Sequence, residues 1–388
     1  MMRILFQKSI LAFAVTALVG MAAAHGQGPE KPYPSEVEAV TRKVADWQIE
    51  TYIDMARYRA LPLGLEHQKW RRTKKYDDND WTSATFHLGL FHFAETIDEP
   101  GYMEWLKALS EGVDWKLRWN PKGIEHADDH AMGQLYLDLY EEYGDPVMIA
   151  DLQSRFDAIL EDPEESQKRA WFWCDALFMG PATWARLARV TEEEKYLYYM
   201  DRQYHLSHSR LYNPEEGLFY RGGKFMKNRE KNGAQEFWAR GNGWVYGGLV
   251  FLIPDLPPDW EGRQFYIDLF QEMSLALKRT QRSDGTWSMG MLGNEADYPI
   301  KEISGTAFFV FGLAWGVNEG LLDHETYEPV ILDGWKAMVD CVNEEGMPGY
   351  VQGVGAAPGA SDPGHTEIYA TGAFVAAGAE VYCMIQSE

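Results

Sequence analysis

The sequence predicts an all-α fold, an (α/α)6 barrel of six helical hairpins, and three observations support it. Segments with helical periodicity alternate with short turns along most of the chain. Amphipathic segments alternate with segments that are apolar almost all round, as expected for outer helices packed on buried inner ones. The apolar segments begin near residues 81, 128, 174, 241, 304 and 367, a nearly regular spacing. An open solenoid of helical pairs is the alternative.

We predict that each outer helix is followed by its inner partner, so that twelve helices form six pairs. Turns such as Asp98-Glu-Pro-Gly101 and Gly144-Asp-Pro146 separate them, because Gly and Pro interrupt helices. A longer loop, Arg210–Glu236, precedes the fourth inner helix. The predicted helices are Glu36–Tyr52, Trp81–Ala94, Tyr102–Trp115, Asp128–Tyr143, Val147–Leu160, Asp175–Val190, Glu192–Leu206, Gly241–Ile253, Gln264–Gln281, Ser304–Asn318, Tyr327–Val342 and Glu367–Tyr382.

Residues 1–24 have a basic start, an apolar run and small residues at the end, the pattern of a secretory signal peptide cleaved near Ala24. We therefore expect an exported, periplasmic protein whose residues 25–388 form a single barrel domain. No later apolar stretch is long enough to span a bilayer, so we expect no membrane anchor. Three cysteines exclude a disulfide framework. One Cys341–Cys383 bridge and buried free thiols both stay open.

The charge and the aromatic content limit the possible partners. A formal net charge of −23 argues against nucleic acid or an anionic membrane as a partner, because both require an excess of Lys and Arg. Aromatic residues make up 14% of the chain, with 15 Trp. Rings of this kind line carbohydrate-binding clefts, although large helical cores also use Trp. The sequence gives no indication of a bound cofactor, so we expect none.

The loops that enter the inner helices should meet at one mouth of the barrel. One of them, Trp171–Gly180, places Asp175 among aromatic and aliphatic neighbours at a predicted helix start. A carboxylate in apolar surroundings loses hydration, so its pKa rises and it can hold a proton near neutral pH. Asp175 is therefore a candidate general acid. The alternative is a simple N-cap, because Asp before an apolar run often caps a helix.

A second loop, His126-Ala-Asp-Asp-His130, packs two carboxylates and two imidazoles into five residues. A catalytic zinc ion needs a third protein ligand that no spacing supplies here, so we predict no metal site. Asp128 and Asp129 either cap a helix or place one carboxylate opposite Asp175. In that second case the pair would share a proton, because two close carboxylates cannot both ionise.

Two histidines are candidate substrate-binding residues. His130 ends the loop just described, and His87 lies on the apolar run 86–93. The alternative for His87 is a buried core histidine with its hydrogen bonds satisfied.

A third loop, Trp238-Ala-Arg-Gly-Asn-Gly-Trp244, combines a cation with two large rings. Arg240 offers a bidentate fork for a carboxylate, and Trp238 and Trp244 offer planes on which a sugar can stack. These residues predict a pocket for an acidic sugar. A helix start with two core tryptophans is the alternative.

Together these loops resemble the glycoside hydrolases of family 105, the unsaturated rhamnogalacturonyl hydrolases, which are related to the family 88 unsaturated glucuronyl hydrolases. The resemblance covers essentially all of the chain after residue 24. The segments that carry it are Ala127-Asp-Asp-His130, Trp173-Cys-Asp-Ala-Leu-Phe-Met179, Phe237-Trp-Ala-Arg-Gly-Asn-Gly-Trp244, Ser304-Gly-Thr-Ala-Phe308 and Glu367-Ile-Tyr-Ala-Thr-Gly372.

The resemblance implies an (α/α)6 barrel and a substrate left by a polysaccharide lyase, an oligosaccharide that ends in a 4,5-unsaturated uronic acid. It implies that Asp175 protonates the double bond at C4 and then helps water to add at C5. Asp128 matches the second family aspartate. Arg221 departs from the family pattern, because related enzymes often carry His there. The resemblance also implies that a set of side chains cradles the substrate: Trp81, Trp238, Arg240 and Trp244.

Three other functions stay open at this point. A conventional glycosidase would use Asp175 with Asp128 or Asp129 as an acid/base pair. A sugar epimerase would need a His pair at the mouth, for which His130 and His365 are the candidates. A carbohydrate-binding protein would need no catalytic acid. The parent polysaccharide is likewise open between pectic rhamnogalacturonan, ulvan and a glycosaminoglycan-like polymer.

Overall fold

The computed structural model describes residues 31–52, 77–119 and 123–387, and twelve helices longer than two turns dominate these ranges. The predicted signal peptide lies outside the described residues. The helices are α1 (Pro34–Thr51), α2 (Trp81–Ile97), α3 (Pro100–Glu111), α4 (Met132–Tyr143), α5 (Val147–Glu161), α6 (Pro181–Thr191), α7 (Glu194–Leu211), α8 (Ala239–Leu252), α9 (Arg263–Thr280), α10 (Ile303–Asn318), α11 (His324–Val339) and α12 (Ile368–Gln386).

Short elements lie between the long helices. The single-turn helices are Ala127–His130, Pro163–Gln167 and Ala176–Met179, and the 3₁₀ turns are Gly223–Phe225, Ile253–Asp255 and Glu295–Asp297. Strands β1 (Tyr212–Asn213) and β2 (Leu218–Phe219) form a two-stranded antiparallel ladder.

The even-numbered helices form the inner ring that the sequence predicts. Each of them packs against the next even-numbered helix in chain order, and α12 packs against α2. This last contact closes the ring, whereas the first and last repeats of an open solenoid do not touch. The (α/α)6 barrel is therefore confirmed, and the solenoid alternative is wrong.

The pairing of helices differs from the prediction. Among the described residues, α3, α5, α7, α9 and α11 each pack on the inner helix that precedes them, and α1 packs on α12. The short connections after the inner helices hold each following outer helix alongside as an antiparallel partner. The longer loops are the ones that precede the inner helices, and they gather at one mouth of the barrel. The loops that carry the candidate catalytic and substrate-binding residues are among these longer loops.

Two predicted inner helices are broken near this mouth. Predicted Asp128–Tyr143 is a single turn, Ala127–His130, followed by α4, and predicted Asp175–Val190 is a single turn, Ala176–Met179, followed by α6. Pro181 starts α6, where a proline is tolerated because the first helical N–H groups have no partner within the helix. These breaks leave the candidate carboxylates on short segments above the ring.

Glycines permit the contact that closes the ring. A Cβ atom on Gly89 of α2 would lie 2.1 Å from the carbonyl oxygen of Gly372 on α12. A Cβ atom on Gly372 would lie 2.3 Å from the carbonyl oxygen of Thr85. Both obstacles are backbone atoms, so a side chain at either position would push the two helices apart.

We therefore expect Gly372→Ala to lower the free energy of unfolding by ~1–3 kcal/mol, the usual cost of overpacking a well-packed core. Urea titration monitored by circular dichroism measures the change. Gly101→Ala is the matched control, because the nearest obstacle there is the flexible side chain of Glu99 at 3.3 Å. Equal stability of the two variants would contradict this account of ring closure.

Helix α12 corrects one statement made from the sequence. By length and composition it could cross a bilayer, but 89% of its apolar window is buried against other helices of the barrel. It is the inner helix that α2 and α10 flank. All three cysteines are free thiols, so the structure contains no Cys341–Cys383 bridge.

Candidate active site

A cleft of about 290 Å³ opens at the mouth of the barrel where the long loops meet. It gathers three carboxylates, three arginines and four tryptophans from five separate loops and helix starts. The lining residues are Trp81, Arg118, Asp128, Asp129, Trp173, Asp175, Met179, Arg221, Trp238, Arg240, Trp244, Val354 and Gly355. The predicted convergence of Asp175, Asp128 and the Trp238–Trp244 loop at one mouth is present in the structure.

Asp175 is a buried carboxyl group at the N-cap position of a single-turn helix. Its side chain makes no capping hydrogen bond to the turn Ala176–Met179, and the residue is only 9% exposed. Its Oδ1 atom accepts a hydrogen bond from the Cys174 thiol at 3.2 Å. The predicted N-cap position is therefore confirmed, but the side chain does not act as the cap. Burial raises the pKa of Asp175, although the positive charges of Arg221 and Arg240 and the Cys174 thiol oppose the rise.

Arg221 is the cation closest to this acid. Its Nε atom lies 3.1 Å from Oδ2 of Asp175, and its side chain is 19% exposed. A backbone hydrogen bond from the N–H of Cys174 to the carbonyl oxygen of Arg221 joins the two loops. An arginine held in this way favours the anionic form of Asp175 once the proton has left. The sequence marks Arg221 only as a departure from a family pattern and gives no sign of this contact.

Arg240 occupies the cleft but does not present the free fork that the sequence suggests. Its Nη1 donates to the carbonyl oxygen of Gln352 at 2.6 Å, and its Nη2 donates to that of Gly353 at 2.8 Å. The guanidinium also lies over the rings of Trp238 and Tyr369. Arg240 therefore fixes the loop at the cleft rim and adds positive charge. By contrast, the Nη groups of Arg221 have no hydrogen-bond partner among the described residues.

The tryptophans divide into supporting and accessible rings. Trp238 and Trp244 line the cleft but are almost fully buried, and Nε1 of Trp238 donates to Gln352 at 3.0 Å. Trp244 packs edge-on against Trp81, whose half-buried ring stacks on Tyr369. Trp81 is thus the ring with more surface to offer a sugar, and Trp238 and Trp244 mainly hold the cleft in shape.

Asp128 and Asp129 both reach the cleft from the turn Ala127–His130, whose N-cap position is His126. Neither carboxylate stands in the N-cap position. The side chain of Asp128 is 28% exposed, with Oδ2 3.9 Å from Nδ1 of His126, whereas Asp129 is 2% exposed. Asp128 is the more accessible candidate for a second catalytic carboxylate.

The assignment of His87 and His130 to substrate binding is wrong, because neither side chain has an exposed surface. Nε2 of His87 lies 3.2 Å from the Tyr52 hydroxyl. His130 accepts a hydrogen bond from Nε1 of Trp184 at 3.3 Å and lies 2.9 Å from the carbonyl oxygen of Ile124. Burial lowers the pKa of each to about 3, so both are neutral core histidines.

The same observation removes the His pair that a sugar epimerase would need. His130 lies outside the cleft, and His365 is also buried and is not part of the cleft lining. Within the part of the chain that the structure describes, no three His, Cys, Asp or Glu side chains are placed to hold a metal ion.

Comparison with known proteins identifies the family. The sequence model of Glycosyl Hydrolase Family 88 matches residues 40–385. The chain belongs to this family. Two relatives carry the name unsaturated 3S-rhamnoglycuronyl hydrolase. The one from Formosa agariphila is 37% identical, over 78% of this chain and 84% of the relative. The one from Alteromonas sp. (strain LOR) is 30% identical, over 95% and 97%.

A solved structure named as a polysaccharide lyase is also similar. It is 29% identical, covers 92% of this chain and 99% of its own, and superposes with a TM-score of 0.79. The family match confirms the resemblance to unsaturated uronyl hydrolases, and the chain is a glycoside hydrolase.

Proposed function

We propose that this family 88 hydrolase removes the 4,5-unsaturated uronic acid from the non-reducing end of rhamnoglycuronan oligosaccharides produced by a lyase. The names of the two relatives support the rhamnoglycuronan substrate. The observation that carries the catalytic proposal is the buried Asp175 carboxyl group, with a raised pKa, beside Arg221 in an aromatic cleft.

The geometry suits a proton donor that must be neutral first and anionic later. Burial raises the pKa of Asp175 and so favours its protonated form, which delivers the proton to C4 of the C4=C5 double bond. Positive charge then develops on C5 and the ring oxygen, and Arg221 stabilises the carboxylate that remains. Water adds to C5, and Asp175 takes up a proton from it. The hemiketal opens and releases a 4-deoxy-5-keto uronate and the shortened sugar.

We assign the second carboxylate to Asp128, because its side chain is more accessible than that of Asp129. This reaction needs no pair of carboxylates arranged about the anomeric carbon, which a conventional glycosidase requires. Trp81 supplies the stacking surface for the uronyl ring.

The test is the ultraviolet absorbance of the conjugated double bond. Purified protein added to lyase-generated oligosaccharides should abolish this absorbance, whereas saturated aryl glycosides should stay intact. A conventional glycosidase would cleave the aryl glycosides. The lyase name of the similar solved structure gives a second candidate, and the same assay separates it. A lyase would increase the absorbance of intact polymer instead of removing that of the fragments.

We also propose that the protein is exported, because residues 1–24 have the composition of a signal peptide. N-terminal sequencing of the native protein should begin near residue 25. A native protein that keeps Met1 in the cytoplasmic fraction would contradict export.

A further inference from the structure

A second cavity, of about 530 Å³, opens from the catalytic cleft and shares Asp128, Trp173 and Arg221 with it. We call it the basic annex, because four cationic side chains line it and Asp128 is its one carboxylate. The four are Arg169, Arg210, Arg221 and Lys224. Such a concentration of positive charge is unexpected in a chain with a net charge of −23.

Apart from Arg221, which is paired with the Asp175 carboxylate, the cations of the annex form no ion pair among the described residues. Arg169 and Arg210 are exposed and have no carboxylate partner among the described residues. The guanidinium of Arg210 lies beside Gly223, where a Cβ atom would be 3.3 Å from Nη2. The Lys224 ammonium lies 5.0 Å from the centre of the Phe225 ring. Unpaired cations that face one cavity attract an anion to it.

An aromatic ring completes the annex. Phe172 is 54% exposed, and its ring lies 4.7 Å from that of Trp173, which belongs to both cavities. A large ring left in solvent beside a catalytic cleft gains by covering the apolar face of a sugar. The annex thus offers a stacking surface together with anion-binding groups.

We infer that the basic annex binds a sulfate ester on the sugar that follows the unsaturated uronic acid. This inference rests on the proposed function, because that sugar extends from the cleft only when the uronyl ring lies at Asp175. Rhamnose itself carries no charge, so an anion at this position must be a substituent. Arginine forks match the oxygens of a sulfate, and the 3S-rhamnosyl unit in the relatives' names agrees with such a substituent.

The test compares two unsaturated disaccharides that differ only in the sulfate on the rhamnose. Wild-type protein should prefer the sulfated one in kcat/KM, through KM. In Arg169→Gln/Arg210→Gln this preference should fall by about tenfold or more, because hydrogen bonds to charged groups are worth ~1.5–3 kcal/mol. Lys278→Gln, which removes an exposed charge that does not line the annex, should keep the wild-type preference.

The outcomes separate the two proposals. Loss of the double bond at equal rates from both disaccharides overturns the sulfate inference but leaves the proposed function intact. A double variant that keeps the full preference places the sulfate elsewhere and also overturns the inference. No reaction with either disaccharide overturns the proposed function itself. An unsulfated tetrasaccharide that is preferred over the unsulfated disaccharide would show that the annex instead takes the carboxylate of a second uronate.

Discussion

Replacing Asp175 with Asn should lower kcat by about 10²–10⁴-fold, the range that a positioned general acid contributes. The amide has almost the same shape but has no proton to give to C4 and cannot become an anion afterwards. Its oxygen can still accept the hydrogen bond from the Cys174 thiol, so the cleft should keep its shape. The assay is loss of double-bond absorbance under saturating substrate.

Binding and folding are the controls for this variant. KM and the melting temperature of Asp175→Asn should stay close to those of the wild type. Asp340→Asn is the matched control, because Asp340 lies just beyond α11 and its side chain forms an exposed ion pair with Lys336. If Asp175→Asn keeps more than a tenth of the wild-type kcat, the acid is another group, and Asp128 is the next candidate.

The inner ring and the main acid could be predicted from the sequence because both depend on local composition. An inner helix is apolar on every side, and Asp175 stands in an apolar segment whichever way the chain turns. Which inner helix each outer helix packs against does not depend on local composition. It depends on which connections are short, and the sequence pattern leaves helix ends uncertain by a few residues.

The side-chain roles that the sequence does not predict depend on contacts between distant parts of the chain. Arg240 has the residue type and the neighbours of a carboxylate receptor, but carbonyl oxygens more than a hundred residues away take up its Nη groups. His130 stands next to two candidate carboxylates in sequence, yet its ring points into the core and binds Trp184. Periodicity gives the face of a helix but does not give these partners.

Replacing Arg221 should produce the second large effect, a shift in the pH dependence of kcat. The direction of this shift follows from the charges around Asp175. Burial raises the pKa of Asp175, and Arg221 is the first of the groups that oppose the rise. Because the proposed mechanism needs protonated Asp175, activity should decline as the pH rises through that raised pKa. In Arg221→Gln the opposing charge is lost, so the pKa rises further and the alkaline limb of kcat should move to higher pH.

The same variant should lose about tenfold or more in kcat on the plateau, because the positive charge 3.1 Å from Oδ2 no longer stabilises the Asp175 carboxylate, and a loss of ~1.4 kcal/mol is tenfold in rate. Arg221→Lys keeps the charge and should hold the alkaline limb near its wild-type position. A merely structural role for Arg221 would lower stability without moving the limb. An alkaline limb that stays in place or moves to lower pH in Arg221→Gln would mean that Asp175 does not deliver the proton, since Arg221 is the nearest cation to its carboxylate.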